Sequence, residues 1–289
     1  MYSNRTIAIV QARYSSSRLP GKVLLDIAGQ PMLARVVERA RQARTVDRVV
    51  VATTTDPSDD AVADLCTGQG YAYSRGSLHD VLDRYYQTAV AFQAGVVVRI
   101  TADCPLIDPA LVDHTVLAFL GGQEQEVGRE VQKPKYDFAA NRLPPPWSRT
   151  YPIGLDVEVC TFQALQRAWQ EADQPHQREH VMPYLYEDSP VVDSLSGNVM
   201  EGPQKEFARR HPFHVLLVNY TENYGSLRWT VDTPQDLALV RQIYSSFAGR
   251  DDFTWLDVLA LFECDPSLAH INAAVQHKTA FDVDERLKD

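Results

Sequence analysis

Residues 6–22 begin with the apolar run Thr6-Ile-Ala-Ile-Val-Gln11 and continue directly into Ala12-Arg-Tyr-Ser-Ser-Ser-Arg-Leu-Pro-Gly-Lys22, a polar and basic segment. An apolar run of this length, bounded by turn residues, predicts a strand that is buried on both faces of a sheet. Similar runs at residues 48–53 and 96–101 predict two more buried strands. The sequence therefore indicates a sheet core with a charged loop directly after its first strand.

Helical patterns lie between these strands, and their starts are marked by Pro31, by Asp56-Pro57 and by Ser77. This alternation is typical of β-α-β units, so we predict an α/β fold with a mostly parallel central sheet and helices on both faces. Right-handed crossovers place the ends of the parallel strands at one edge, outside which ligands bind. The loop after Gln11 and the segment Ala102-Asp103 after the third strand are expected there together.

The rest of the chain is less regular. Residues 121–146 are polar and then proline-rich, as in a linker or a mobile arm. Strands are predicted at 154–159, 213–218 and 228–231, helices at 161–172, 176–186 and 234–247, and irregular chain at 187–212. One or two helices are predicted after residue 249, without an assigned role.

The composition is that of an ordinary globular protein, with 45% hydrophobic and 23% charged residues. A length of 289 residues suits one large α/β domain or two small ones. The formal net charge of -10 argues against a general nucleic-acid surface, so no nucleic-acid partner is expected. A local cationic pocket remains compatible with this charge.

The four cysteines, Cys66, Cys104, Cys160 and Cys264, lack the C-x-x-C spacing of zinc and redox sites. We expect reduced thiols in a cytoplasmic protein. The apolar run near the start is too short for a signal peptide, and no stretch approaches the roughly 18 apolar residues of a membrane span. No membrane association is therefore expected.

The loop at residues 12–22 combines three cations, Arg13, Arg18 and Lys22, with three serines and a Pro-Gly turn. A triphosphate needs this mixture of charge, hydroxyl groups and main-chain N–H groups. Composition alone favours a solvated basic surface loop equally. The spacings of a Walker A loop and of a Rossmann dinucleotide fingerprint are both absent from the sequence.

Two aspartates, Asp103 and Asp232, each follow a predicted strand although they lie far apart in the chain. Mg²⁺ prefers one or two carboxylates, with waters and phosphate oxygens as its remaining ligands. Asp103 is also compatible with a simple turn residue, and Asp232, before Thr233-Pro234, with a helix cap. With the loop and Asp103 present, we favour metal binding for Asp232.

Candidate acceptor-binding residues lie in the second half of the chain. Asp156 and Glu158 are two apart on a predicted strand and share a face, as in recognition of a polyol or an amine, although a solvated strand face fits equally well. Arg178 suits an acceptor carboxylate or phosphate, and His180 either a general base or a structural role. Weaker candidates are Asn141 and Arg228. Trp229 is predicted to lie in the core.

Several segments in order resemble one protein family. The loop at residues 12–22 is similar to the signature loop of the sugar-activating cytidylyltransferases, which include the 3-deoxy-manno-octulosonate and acylneuraminate enzymes. From residue 7 to about residue 244, the chain more closely resembles the spore coat polysaccharide biosynthesis protein F family. The supporting segments are Val50-Val-Ala-Thr-Thr, Arg75-Gly-Ser, Asp80-Val-Leu-Asp-Arg-Tyr-Tyr86, Arg99-Ile-Thr-Ala-Asp-Cys-Pro-Leu-Ile-Asp-Pro109, Gly154-Leu-Asp-Val-Glu-Val159, Arg178-Glu-His180 and Arg228-Trp-Thr-Val-Asp-Thr-Pro234.

This resemblance implies a three-layer nucleotide-diphospho-sugar transferase fold and transfer of CMP from CTP to a sugar-like acceptor, acidic or amino, with release of pyrophosphate. The implied product serves cell-surface polysaccharide or glycoconjugate synthesis, and the implied assembly is a homodimer. The implied roles are nucleotide binding by Ala12, Arg13, Ser17, Arg18, Lys22, Arg75, Thr101 and Asp103, catalysis by Arg13, Arg18, Lys22 and Asp103, and Mg²⁺ binding by Asp103 and Asp232.

Two other functions stay open at this stage. One is a glycosyltransferase that consumes a nucleotide sugar, although residues 101–103 lack the first acid of an Asp-x-Asp motif. The other is a non-catalytic nucleotide-binding module. For the domains, we expect a nucleotidyltransferase domain at 1–248, with a mobile or dimerisation insert at about 121–212, and a C-terminal helical extension at 249–289.

Overall fold

A nine-stranded mixed sheet crosses the molecule within residues 5–121, 134–147, 149–200 and 212–276, the parts of the chain that the computed structural model describes. Its strands are β1 (Arg5–Gln11), β4 (Arg48–Thr54), β5 (Ala72–Gly76), β6 (Ala94–Thr101), β7 (Phe138–Ala140), β8 (Glu158–Thr161), β9 (Val191–Asp193), β10 (Val199–Met200) and β11 (Val215–Leu217). A separate small hairpin pairs β2 (Asp26–Ile27) with β3 (Gln30–Pro31).

The strand order is β10-β9-β11-β7-β8-β6-β1-β4-β5. β8 runs antiparallel to both of its neighbours, and β10 runs antiparallel to β9, while the other pairings are parallel. The predicted mostly parallel sheet is therefore confirmed. The ends of β1, β4 and β6 lie side by side, at what we call the carboxyl edge.

The helices that accompany the sheet are α1 (Met32–Ala40), α2 (Asp60–Gln69), α3 (Val81–Ala91), α4 (Pro109–Leu120), α5 (Phe162–Glu171), α6 (Pro175–His180), α7 (Pro183–Tyr186), α8 (Pro234–Ser246) and α9 (Trp255–Cys264). Short 3₁₀ turns occupy Lys22–Leu24, Pro57–Asp59 and Pro266–His270. Within the described residues, no helix combines the length and the apolar character that crossing a membrane requires.

Alternate residues of β1 point into two separate hydrophobic cores, as the period of two in a strand requires. Ala8 and Val10 pack with α1, α2, α4, α8 and α9, whereas Ile7 and Ile9 pack with α3, α5 and α7. Helices therefore cover both faces of the sheet. This three-layer arrangement explains why β1 reads as a continuous apolar run rather than as an alternating one.

Residues 154–159 do not form the strand that alternation predicts, because β8 begins only at Glu158. The side chain of Asn141 accepts from the Val157 amide (2.9 Å) and donates to the Leu155 carbonyl (2.7 Å). Gly154, with a φ of 104°, turns the chain just before them. The Leu155 carbonyl and the Val157 amide therefore bond to the Asn141 side chain, whereas in a strand they would bond to the backbone of a neighbouring strand.

Three other predicted segments differ from the structure. The helix expected at 176–186 is divided into α6 and α7, because Val181 takes a φ of 71°, which a right-handed helix does not allow. Residues 187–212, expected to be irregular, contain β9 and β10 in their described part. Residues 228–231 form only an isolated bridge, between Arg228 and Ile153.

The region at about 121–212, expected as an insert, supplies β7, β8, β9 and β10 to the central sheet within its described part. Its proposed role in dimerisation stays a prediction. The chain after residue 249 adds α9 and a 3₁₀ turn, whose side chains Trp255, Val258 and Leu268 belong to the same core as α8. The boundary at residue 248 also stays a prediction.

Candidate active site

The carboxyl edge brings two predicted site segments together. Gln11 and Thr101 are partners in the register between β1 and β6, and the Ala102 amide donates to the Gln11 carbonyl (2.9 Å). On the other side, the Ala12 amide donates to the Ala52 carbonyl (3.1 Å). The basic loop and the segment that carries Asp103 therefore start next to each other.

The loop folds back over this edge and ends at Lys22. Gly21 makes the return turn with a φ of 69°, and its amide donates to the Tyr14 carbonyl (2.9 Å). A Cβ at Gly21 would lie 2.9 Å from the Tyr14 ring, so the turn requires glycine both for its conformation and for space. Lys22, next in the chain, is buried.

Lys22 joins the two distant aspartates. Its Nζ donates at 2.8 Å to Oδ2 of Asp103, to Oδ1 of Asp232 and to the Val231 carbonyl. Two further cations reach the other oxygen of Asp232: Arg18 at 2.8 Å and Arg228 at 2.7 Å. The basic loop and both acids thus converge in one charged cluster.

Opposite charges stabilise the ionised forms of Asp232 and Lys22 in the cluster. Burial favours a raised pKa for the Asp232 carboxyl, but Lys22 and Arg18 outweigh burial and hold that pKa well below its usual range. Burial likewise favours a lowered pKa for the Lys22 ammonium, yet Asp103 and Asp232 raise it above its ordinary value. The cluster therefore holds fixed charges at neutral pH.

The donor set of this cluster fits Mg²⁺. Asp103 and Asp232 each direct one carboxylate oxygen at the Lys22 Nζ, so the space between the two acids holds a positively charged group in this structure. Among the residues that the structure describes, no group of three or more histidine, cysteine, aspartate or glutamate side chains is arranged to hold a metal. Two carboxylates with water and phosphate oxygens are nevertheless an ordinary ligand set for Mg²⁺.

Cys104, beside Asp103, is not suited to act as a nucleophile. Burial raises the pKa of its thiol well above the usual value, and the charges of Asp103 and Asp156 raise it further. Its Sγ lies 3.2 Å from Oγ1 of Thr101, the last residue of β6. The thiol therefore stays protonated at neutral pH, and a covalent cysteine intermediate is not expected.

The other predicted nucleotide-binding residues occupy the same edge, at differing distances from the cluster. Ala12 is buried at the base of the loop and Ser17 is exposed. Burial lowers the pKa of Arg84, and the like charge of Arg13 nearby lowers that pKa further. Arg75 lies on β5, where it donates to the Thr54 carbonyl (2.7 Å) and pairs with Asp60 (2.7 Å). Contacts of these side chains with a nucleotide stay predictions.

Asp156 and Glu158 are both paired with arginines. Arg149 makes a bidentate ion pair with Asp156, at 2.9 and 3.1 Å, and Arg142 lies 3.4 Å from the same carboxylate. Glu158 is buried and pairs with Arg99. The two acids therefore do not form an exposed acidic pair, and this neighbourhood contains three guanidinium groups for two carboxylates.

The remaining acceptor candidates have structural contacts. Asn141 is fully buried, and its side chain makes the two hydrogen bonds to the Leu155 carbonyl and the Val157 amide described above. Arg178 pairs with Asp80, the N-terminal cap of α3, and donates to the Trp169 carbonyl (2.7 Å). His180 ends α6. Acceptor contacts of these side chains stay predictions, and Trp229 lies in the core as expected.

Sequence reasoning missed Arg149, Arg142 and Asp236. The two arginines flank the proline-rich tract, where no periodic pattern indicates which way a side chain faces. Asp236 was detectable, because Thr233-x-x-Asp236 forms a capping box at the start of α8. Asp236 also binds Arg228 through Nε at 3.0 Å, which connects the cap to the charged cluster.

The central sheet is mostly parallel and lies between two layers of helices, and a cationic loop meets two carboxylates at the carboxyl edge of this sheet. These features place the protein in the class of nucleotidyltransferases with the nucleotide-diphospho-sugar transferase fold. Comparison with known proteins supports this class and narrows it. The chain belongs to the cytidylyltransferase family, whose sequence model matches residues 7–196.

Individual relatives cover different shares of the chain. The spore coat polysaccharide biosynthesis protein SpsF of Bacillus subtilis is 27% identical over 270 residues, which span 92% of this chain and 97% of that protein. A 3-deoxy-manno-octulosonate cytidylyltransferase of Trichlorobacter lovleyi is 37% identical over 124 residues, 42% of this chain and 48% of that enzyme. The structure of a cytidylyltransferase from Leptospira borgpetersenii superposes with a TM-score of 0.75 at 27% identity, covering 94% of this chain and 99% of the other.

Proposed function

We propose that this protein transfers CMP from CTP to an acidic, sugar-like acceptor, releases pyrophosphate and depends on Mg²⁺. The observation that carries the proposal is the convergence of Lys22, Asp103 and Asp232 on one point at the carboxyl edge. The choice of CTP rests on the cytidylyltransferase family. A product used in cell-surface polysaccharide or glycoconjugate synthesis is supported by the likeness to the spore coat polysaccharide biosynthesis protein of Bacillus subtilis.

The chain's own residues account for the reaction as follows. An acceptor hydroxyl oxygen attacks the α-phosphorus in line, a new O–P bond forms and the hydroxyl proton passes to solvent. The bond from the α-phosphorus to the bridging oxygen breaks as pyrophosphate leaves. The basic loop, with Arg13, Arg18 and Lys22, holds the triphosphate and stabilises the charge on the departing group. Asp103 and Asp232 would hold Mg²⁺, which would neutralise phosphate charge and lower the pKa of the acceptor hydroxyl.

An acidic acceptor is favoured over an amino acceptor. Asp156 and Glu158, the carboxylates that suited an amine, are occupied by Arg149 and Arg99. In addition, the Arg99 Nε is buried and lacks a hydrogen-bond partner among the described residues. A carboxylate or phosphate on the acceptor matches a region with this excess of guanidinium groups.

A pyrophosphate-release assay tests the proposal. Purified protein is incubated with each of the four nucleoside triphosphates and a panel of acidic and amino sugars, with Mg²⁺ or with EDTA. We expect release only with CTP, an acidic acceptor and Mg²⁺. Absence of release across the whole panel contradicts the proposal, as does consumption of a nucleotide sugar without use of free CTP, which identifies a glycosyltransferase.

A further inference from the structure

The C-terminal segment at residues 250–276 contacts the active-site cluster through Asn272. This side chain is only 7% exposed, and its Nδ2 donates to Oδ1 of Asp236 (2.9 Å) and to the Arg228 carbonyl (3.0 Å). We infer that Asn272 is a positioning residue that orients the Asp232 carboxylate for the metal. The inference rests on the proposed function, since it assigns Asp232 to a bound divalent cation.

The connection from Asn272 to Asp232 passes through two buried charged groups. Asp236, 1% exposed, accepts from Arg228 Nε (3.0 Å) and Nη2 (3.1 Å), and from the Asp232 amide (3.0 Å). The same Arg228 Nη2 donates to Oδ2 of Asp232 (2.7 Å). Asn272 therefore bonds to the Asp236 carboxylate and to the Arg228 main chain, and these two residues form the ion pair that holds Asp232.

Removing the Asn272 amide leaves this ion pair less constrained. Oδ1 of Asp236 loses one of its two donors among the described residues, and the Arg228 carbonyl loses its bond to Asn272. Because Arg228 fixes one oxygen of Asp232, rotation of its guanidinium changes the direction of that carboxylate. Groups that orient metal ligands typically change metal affinity or activity by about 10- to 100-fold when they are removed.

The segment itself is anchored independently of the cluster. Leu268, just before Asn272, is buried in the hydrophobic core, and the Trp255 amide donates to the buried carboxylate of Asp108 (2.7 Å). Leu268 therefore offers a matched control. Its truncation removes core packing from the same segment and leaves the bonds of Asn272 in place.

The test measures metal binding directly. Mn²⁺ is titrated into wild-type protein, Asn272→Ala and Leu268→Ala in the presence of CTP, and free Mn²⁺ is followed by its electron paramagnetic resonance signal. A titration of CTP without protein is subtracted from each curve, because CTP binds Mn²⁺ by itself. We expect Asn272→Ala to weaken Mn²⁺ binding about 10-fold and to raise the Mg²⁺ concentration for half-maximal pyrophosphate release similarly. Leu268→Ala lowers the Tm but keeps the Mn²⁺ affinity within about twofold, because it lies outside the bonded chain.

If Asn272→Ala does not fold, Asn272→Leu replaces it, since this change keeps about the same side-chain size and removes the donor toward Asp236 without adding a charge. Mn²⁺ affinity equal to wild type in the folded variant overturns the positioning role. So does a loss no larger than that of Leu268→Ala. A wild-type protein that binds no Mn²⁺ with CTP and releases no pyrophosphate overturns the proposed function together with this inference.

Discussion

At the scale of single residues, Lys22 explains how two acids that are far apart in the chain can lie close together. Two carboxylates on one site repel each other, and a shared cation removes that cost. The ammonium of Lys22 bonds to Asp103 and Asp232 at equal distances of 2.8 Å, and Arg18 adds a second positive charge. The protein's own cations therefore stabilise the two carboxylates in one place.

Replacing Asp103 with Asn should abolish most turnover while the fold persists. The Asp103 side chain is partly exposed and lies just after β6, so an asparagine amide fits in its place. The amide has no negative charge, however, so it binds a cation more weakly than the carboxylate does. We expect pyrophosphate release to fall by about 100-fold or more, the usual size of losing one electrostatic stabiliser. Asp113→Asn on α4 is the control, because Asp113 accepts from the backbone amides of Arg44 and Thr45 and from the Thr45 hydroxyl, and none of these groups belongs to the charged cluster. Near-normal release by Asp103→Asn excludes the role.

Replacing Asn141 with Ala separates a structural role from acceptor binding. The change leaves the Leu155 carbonyl and the Val157 amide without their bonds in a fully buried place. We expect the free energy of unfolding to fall by about 2–4 kcal/mol, as for two buried hydrogen bonds, in a urea titration. A variant that keeps its stability but shows a raised KM for the acceptor supports the direct contact instead.

At the scale of elements, a segment without regular strand structure carries Asp232. The Ile153 amide donates to the Leu227 carbonyl (2.8 Å), and the Trp229 amide donates back to the Ile153 carbonyl (2.7 Å). Further along, the Val231 amide donates to the Asp103 carbonyl (2.8 Å). Residues 227–231 are therefore held between two other segments, and this arrangement places Asp232 opposite Lys22.

Gly154 makes this close packing possible. It has a φ of 104°, and a Cβ there would lie 2.5 Å from the Thr230 amide nitrogen. Gly154→Ala should therefore lower the free energy of unfolding by at least about 3 kcal/mol, through strain and backbone overlap. Gly70→Ala is the control, because Gly70 has a φ of 67° in open space and should cost only about 1 kcal/mol. Equal losses in thermal or urea unfolding would show that the backbone overlap is unimportant.

At the scale of the whole molecule, the three layers determine which side chains reach solvent. Cys66 and Cys104 are buried near α2 and at the carboxyl edge, Cys160 is buried on the opposite core, and Cys264 is exposed at the end of α9. Burial raises the pKa of the Cys66 thiol to about 11, and raises those of Cys104 and Cys160 well above the usual value. Reactivity toward a thiol reagent therefore reports on the layered core.

In the native protein at pH 8, one thiol should react quickly with 5,5′-dithiobis(2-nitrobenzoic acid), and all four should react in guanidinium chloride. The fast thiol is Cys264, because the other three thiols are buried. Burial hinders both the access of the reagent and the formation of the reactive thiolate. The Cys264→Ser variant should consequently show no fast phase. Two or more fast thiols in the native wild type would contradict the burial of the cores.

Local patterns were sufficient for the main parts of the fold. β1, β4 and β6 are continuous apolar runs, and the start of α8 carries a threonine cap followed by proline. Such signals depend only on near neighbours in the chain. In contrast, β7 and β9 are three residues long, too short for a periodic pattern, and they form because neighbouring strands supply their hydrogen bonds.

The amino-acid order alone was enough to predict the sheet and its charged loop and to indicate the two acids as candidate metal ligands. Apolar strand runs and loop charges consist of consecutive residues, so a local stretch of sequence is enough to recognise them. The meeting of the two acids on Lys22, the pairing of Asp156 and Glu158 with arginines, and the contact of Asn272 with Asp236 required the folded chain. These contacts join residues from 7 to 210 positions apart. Long-range contacts of this kind arise from packing and chain closure, which no local pattern encodes.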